Sequence, residues 1–210
     1  MPSAENRSTY HHGALREELI TACLALIESE GIGAVNLRRV AREAGVSAGA
    51  PYHHFTDRAA LLRVISARGY ERLIADLGEA RRGAVSPVEA IGAMLAAYVR
   101  FARGHTAYIQ LMYRPELSGS LGDPAVRELA TEGLRLLKET VVECQRAGLA
   151  PSGDPAPLVT LIWSVATGLA MLSIEGPLEG QTAARGSTVE EFTDQIGRLL
   201  QSLLDGTATR

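Results

Sequence analysis

Apolar residues recur at three- and four-residue steps along nearly the whole chain, and no stretch alternates strictly between apolar and polar. That period leaves room for helices and little for strands, so the chain is expected to be all-α, with about nine helices. Leu15, Leu19, Cys23 and Leu26, flanked by Ile20, Ala22 and Ile27, mark an amphipathic helix ending near Gly31. Leu37, Val40, Ala41 and Ala44 form a short stripe behind Asn36, a natural N-cap. Further helices are predicted over about 58–82, 87–104, 106–114, 124–148, 155–174 and 188–205. Ser86-Pro87, Asp123-Pro124 and Asp154-Pro155 each set a capping residue before a proline, as helix starts prefer. Residues 1–10 are expected to be a loose arm and 175–187, rich in glycine, a mobile loop.

The 210 residues are 46% hydrophobic, enough for a real core without covalent staples. The two cysteines, Cys23 and Cys144, sit among apolar residues and read as small buried side chains in a reducing cytosol. The first fifteen residues are polar and hold no apolar signal segment, so a cytoplasmic protein is expected. The run 155–174 carries no charge and is long enough to span a bilayer. Its flanks, Asp154 and Glu175, offer no basic collar, and Thr160, Ser164, Thr167 and Ser173 interrupt it. No membrane partner is expected; such a helix packs one face on its own domain and another on a partner subunit.

The formal net charge of -3 argues against a strongly basic nucleic-acid protein. The charge is uneven, however. Residues 1–82 hold 11 Arg against 10 Asp and Glu, a balance of +1, and four of the five His; the remainder holds 10 basic against 14 acidic residues, a balance of -4. An anionic partner is permitted at the N-terminal end only.

The stretch 45–58, G-V-S-A-G-A-P-Y-H-H-F-T-D-R, sharpens that permission. Gly45 can adopt the left-handed conformation that closes a helix, Val46 folds back apolar, and Ser47 can cap a second helix. Two short helices joined through such a turn make a helix-turn-helix, whose second helix enters the DNA major groove by its N-terminal residues. Ala48, Gly49 and Ala50 would let the backbone approach base edges, with methyl contacts to thymine. Pro51 falls where the first intrahelical bond would begin and costs little there. Tyr52 and His53 reach outward to phosphates or bases, and Phe55 turns inward. Arg38 and Arg42 share a face of the preceding helix, and Arg39 can pair with Glu43. Beside this motif, Arg38 is expected to touch the DNA backbone.

Y-H-H-G-A-L-R (10–16), E-G-I-G-A-V-N-L-R-R-V-A-R-E-A-G-V-S (30–47) and Y-H-H-F-T-D-R-A-A-L-L (52–62) together resemble the N-terminal pattern of the TetR (tetracycline-repressor-like) family of transcriptional regulators. The resemblance implies an N-terminal three-helix helix-turn-helix domain, 1–57, and a C-terminal ligand-sensing and dimerising helical domain, 58–210. It also implies that Tyr52 contacts a phosphate, that Asn36 and Ser47 cap helices at the DNA backbone, and that Arg58, where the family usually has lysine, lies near a phosphate. Y-I-Q-L-M-Y-R-P-E-L (108–117) and W-S-V-A-T-G-L-A-M-L (163–172) are similar to a subgroup named for a Trp-His-Gly signature. Trp163 and Gly168 match, but Thr167 replaces the histidine, so no role of that imidazole carries over.

Tyr98, Phe101, Tyr108, Met112, Trp163 and Met171 lie in apolar helices and individually read as core. The resemblance implies a small-molecule pocket among these helices, with Thr167 as a polar contact. Val189, Phe192, Ile196, Leu199 and Leu203 step by three and four, a seam for another helix. That seam serves either intramolecular packing or, as the resemblance favours, a four-helix interface with the run 155–174 and a second subunit. Adjacent His53 and His54 cannot face one metal from a regular helix, nor can His11 and His12, so neither metal nor cofactor is expected. No Glu-x-x-His pair, nucleophile elbow or phosphate loop supports a helical enzyme. The expected protein is a homodimeric, double-stranded-DNA-binding regulator, a repressor released by an unknown small molecule. The alternative is a DNA-binding dimer without an effector.

Overall fold

A computed structural model describes residues 4–114, 117 and 123–208, with side chains placed for 14–114, 117 and 123–204. Among the described residues there is no strand. Nine α-helices follow one another there: α1 Ala4–Glu30, α2 Leu37–Glu43, α3 Arg58–Gly83, α4 Pro87–Gly104, α5 Thr106–Met112, α6 Pro124–Arg146, α7 Ala156–Ile174, α8 Pro177–Ala183 and α9 Val189–Ala208. Two 3-10 turns, Ile32–Ala34 and Ala50–His53, lie between the first three.

The helix starts follow the capping chemistry. Ser86 Oγ accepts the Glu89 N–H at 3.2 Å, Asp123 Oδ1 the Ala125 N–H at 2.9 Å, and Asp154 Oδ1 the Ala156 N–H at 3.0 Å. Ahead of α9, Thr188 Oγ1 accepts from Glu191 N and Glu191 Oε2 accepts from Thr188 N, a reciprocal capping box. Those bonds hold the Glu191 carboxyl below its ordinary pKa.

Two expectations are corrected. Residues 4–10 belong to α1 instead of forming a loose arm, while 1–3 lie outside the described residues. A helix already nucleated by its packed half extends cheaply through Ala, Glu and Arg. Within 175–187 the expected loop contains α8: Gly176 at φ 90° turns the chain, Pro177 opens the helix, and Leu178 and Thr182 are buried. Burial of those two side chains outweighs the glycine-rich composition. Pro115 and Glu116 of the 108–117 match lie outside the described residues.

The chain divides into two compact units, Met1–Gly69 with Thr106–Val126, and Tyr70–His105 with Arg127–Arg210. In the first, α1, α2, the start of α3 and α5 enclose a core that includes Leu19, Cys23, Ile27, Val40, Leu61, Ile65 and Leu111. Gly69 has a structural task there, since a Cβ would meet Met112 Sδ at 3.0 Å and Tyr108 at 3.1 Å. In the second unit, α4 packs along α9 and α7. The α4–α9 crossing is close at Gly92 and Gly197, where a Cβ on Gly197 would stand 3.3 Å from the Gly92 Cα. Arg81 binds Glu139 at 3.2 Å and Glu143 at 2.6 Å. Arg103 binds Glu179 at 2.9 Å and also pairs with Glu190.

α7 has two apolar faces. Ile162, Ala166, Leu169, Ala170 and Ser173 are buried, whereas Leu161, Trp163 and Leu172 are exposed. It is the one described helix long and apolar enough to cross a membrane.

Candidate nucleic-acid interface

The interface is built from the turn before α2 onward. Asn36 is extended, and its Oδ1 accepts the Arg39 N–H at 2.9 Å, capping α2. Leu37, Val40 and Ala41 are buried, which fixes the opposite face outward and exposes Arg38 and Arg42. Arg39 pairs with Glu30 at the end of α1, not with Glu43 as its spacing suggested. Ala44 ends α2. Gly45 at φ 70° donates to Arg42 O at 3.1 Å, and Val46 N donates to Ala41 O at 2.9 Å. These paired bonds form a Schellman closure, and half-buried Val46 packs on the first core.

The second element differs from the expected α-helix. Ala50 N bonds to Ser47 O at 3.0 Å, Tyr52 N to Gly49 O at 3.2 Å and His54 N to Pro51 O at 2.9 Å, the i to i+3 pattern of a 3-10 turn. Its N-cap is Gly49, without a side-chain bond, so Ser47 contributes its carbonyl where a hydroxyl cap was expected. The physical cause is Pro51, which has no N–H to donate to Ser47 O; the Ala50 N–H takes that carbonyl instead, one residue early. Pro51 and Phe55 are buried. The Arg16 guanidinium lies 5.6 Å from the Phe55 ring centroid, a cation–π contact holding the turn to α1. Ser47, Ala48, Gly49, Tyr52 and His53 are left exposed and Ala50 half-exposed, with Tyr52 at 54%.

Beyond the turn, Asp57 Oδ1 accepts the Ala60 N–H at 2.7 Å and starts α3. Arg58 Nε donates to Val35 O at 2.9 Å and Nη2 to Ile32 O at 2.8 Å. Arg68 grips both carboxylate oxygens of Glu17 at 2.5 Å, and that bond holds the Glu17 carboxyl below its usual range. Burial pushes the Cys23 thiol up to about 12, with the nearby Arg58 charge opposing. A thiol so held is protonated and inert, as expected of a packing side chain. Sequence reasoning missed the Asp57 cap, the Arg58 bonds and the Arg16–Phe55 contact. The first was legible as an Asp ahead of a helical run; the other two join residues far apart in the chain.

Among the expected pocket residues, Tyr98, Phe101 and Met112 are buried, Tyr108, Thr167 and Met171 half-buried, and Trp163 is 40% exposed. Phe101 packs edge-on to His105, their ring centroids 5.0 Å apart. Along α9, Phe192 and Ile196 are half-buried, while Leu199 and Leu203 are exposed at 55% and 57%. Arg185 lies over the Phe192 ring. Among the described residues no group of three or more His, Cys, Asp or Glu could hold a metal ion.

An all-helical chain that presents a capped helix, a glycine turn and an exposed, side-chain-poor second turn is a helix-turn-helix DNA-binding protein. Residues 19–65 match the sequence model described as bacterial regulatory proteins, tetR family, and residues 91–199 the one described as tetracyclin repressor-like, C-terminal domain. The chain belongs to the tetR family and is a DNA-binding transcription regulator, not an enzyme.

Solved structures agree in fold. A protein with unknown function from Rhodococcus sp. RHA1 is 31% identical, with 92% of this chain and 96% of that chain covered and a TM-score of 0.79. PfmR, a TetR family transcriptional regulator from Thermus thermophilus, is 20% identical over 88% of this chain and 94% of its own, at a TM-score of 0.69. The transcriptional regulator FadR from Bacillus subtilis, solved in complex with stearoyl-CoA, is 14% identical over 89% and 97%, at a TM-score of 0.70. No curated protein matches the chain.

Proposed function

We propose that the protein is a cytoplasmic repressor that binds a palindromic operator as a homodimer and leaves it when a small molecule binds. The observation that carries this reading is the exposed turn Ser47-Ala48-Gly49, with Tyr52 and His53 beside it and Arg38 on the neighbouring helix. Ala48, Gly49 and Ala50 come close to base edges because nothing larger than a methyl stands between backbone and groove. Arg38 and Tyr52 hold phosphates, and His53 a phosphate or a base edge; together with the Asn36 and Ser47 backbone they set the register.

One such turn is short, and two of them spaced by a duplex turn supply the affinity and the symmetry of a palindrome. The exposed Leu161, Trp163 and Leu172 of α7 and Leu199 and Leu203 of α9 support pairing with a second copy. In the effector reading, Tyr98, Phe101, Trp163, Thr167 and Met171 of the second unit contribute to an apolar site. The stearoyl-CoA complex of FadR, a protein of like fold, supports an organic ligand. Release follows from linkage: a ligand preferring the conformation with misplaced reading turns weakens DNA binding by the factor with which DNA weakens ligand binding. The effector-free alternative draws support from the burial of Tyr98, Phe101 and Met112, which already fill packed interiors.

The test is the binding of a palindromic fragment from the protein's own promoter across several salt concentrations. Log affinity should fall linearly with log salt by about 0.9 per phosphate contact. A flat response would remove the DNA claim.

A further inference from the structure

We infer that Arg58 is a positioning residue that closes the DNA-reading motif into a ring, and is not one of its phosphate contacts. The inference rests on the operator-binding reading above. Arg58 is the first residue of α3, five residues beyond His53 at the end of the reading turn, and Val35 directly precedes the Asn36 cap of α2. The Nε–H donates to Val35 O at 2.9 Å and the Nη2–H to Ile32 O at 2.8 Å. The entry and exit of the motif are thus tied, and the enclosed residues 36–57 are the whole helix-turn-helix.

Three observations give the tie its meaning. The guanidinium uses two donors on one edge of its planar fork, so the bonds fix direction as well as distance; the compact ammonium of lysine lacks that edge. The Ile32 carbonyl also accepts the Val35 N–H at 3.2 Å, so the guanidinium seats on a turn that already holds its shape. The second element of the motif is a short 3-10 turn with poorer hydrogen-bond geometry than an α-helix. A turn of four residues cannot orient itself, and Phe55 under Arg16 together with the Arg58 tie supplies the orientation that a longer helix would carry in its own length.

The Ile32 bond is exposed and the Val35 bond part-buried, with Val35 itself only 3% exposed, so losing the tie lowers stability somewhat while its main effect falls on geometry. The aim of the reading turn decides the base contacts that carry sequence information, whereas phosphate contacts carry none and are available on any duplex.

The experiment uses the full chain with Arg58→Lys and Arg58→Gln, measured on an operator duplex and on a random-sequence duplex over a range of salt, with circular dichroism melts. Both variants are expected to fold and to lose operator affinity by roughly tenfold or more, the worth of a charge-assisted hydrogen bond. Both should bind random DNA as wild type does and keep the wild-type salt slope. Recovery of wild-type operator affinity in Arg58→Lys, or a slope smaller by about 1 in Arg58→Gln, makes the residue a phosphate contact and overturns the inference. Unchanged operator binding in both variants, or unfolding of both, overturns it equally. Wild-type protein without salt-dependent operator binding is a separate result, and it defeats the regulator reading itself.

Discussion

Tyr52 and Ala50 stand two residues apart in the reading turn and answer different physical demands. Tyr52, 54% exposed, offers a hydroxyl on a rigid arm, suited to a phosphate and indifferent to sequence. Tyr52→Ala is therefore expected to weaken operator and random DNA alike, by about three- to tenfold, the worth of one hydrogen bond. Ala50 matters for what it lacks. Ala50→Leu should cost operator binding about ten- to hundredfold, the scale of a lost base contact, while random DNA is held nearly as before. Filter binding or fluorescence anisotropy on both duplexes separates the two; equal losses in the Ala50 variant would misplace the turn. These exposures were legible from residue type, because an Ala-Gly-Ala run makes a poor core. The partner of Arg58 was not, since a guanidinium at a helix start looks the same in a sequence whether it faces a phosphate or a carbonyl.

At the scale of elements, local chemistry decided the α2 closure and misled about the element after it. A glycine followed by an apolar residue after a short helical stripe is a C-terminal stop, and the Gly45 and Val46 bonds realise it. A Cβ at Gly45 would meet nothing within 4 Å, so the cost of Gly45→Ala is purely that of φ 70°. That substitution is expected to lower stability by about 1–2 kcal/mol, read in a chemical denaturation midpoint. A variant as stable as wild type would mean the turn can re-form with negative φ. The expected α-helix after Ser47 became a 3-10 turn because removing one N–H at Pro51 shifts the acceptor assignments of its neighbours. α8 was hidden for another reason. Its glycines argue locally for a loop, and only the burial of Leu178 and Thr182, in a helix packed on its neighbours α7 and α9, offsets the cost of helical order.

For the whole molecule, the question is what covers the exposed apolar faces of α7 and α9. Leu199 and Leu203 follow one another at a helical step and are both more than half exposed. Leu199→Asp with Leu203→Asp is expected to convert a dimer to a monomer in sedimentation velocity, and to lower operator affinity by more than about tenfold through loss of the second reading turn. A wild-type monomer, or a dimeric double variant, would send the seam back to intramolecular packing. The α9 stripe and the chargeless run of α7 were both visible as patterns, yet a pattern cannot say which of two apolar faces meets its own chain. Gly92 and Gly197 illustrate the limit, because their close approach joins helices far apart in sequence.

What the sequence by itself determined is what depends on neighbours in the chain: the helical period, the capped starts at Ser86, Asp123 and Asp154, the Gly45 stop and the bare run beyond it. Tertiary structure alone decided the seat of the Arg58 guanidinium, the partner of Arg39, the order of α8 and the sharing of α7 between a buried and an exposed face. The reason is range: backbone torsions and caps are settled within a few residues, whereas a long side chain or an apolar face chooses among partners that only the folded chain brings within reach.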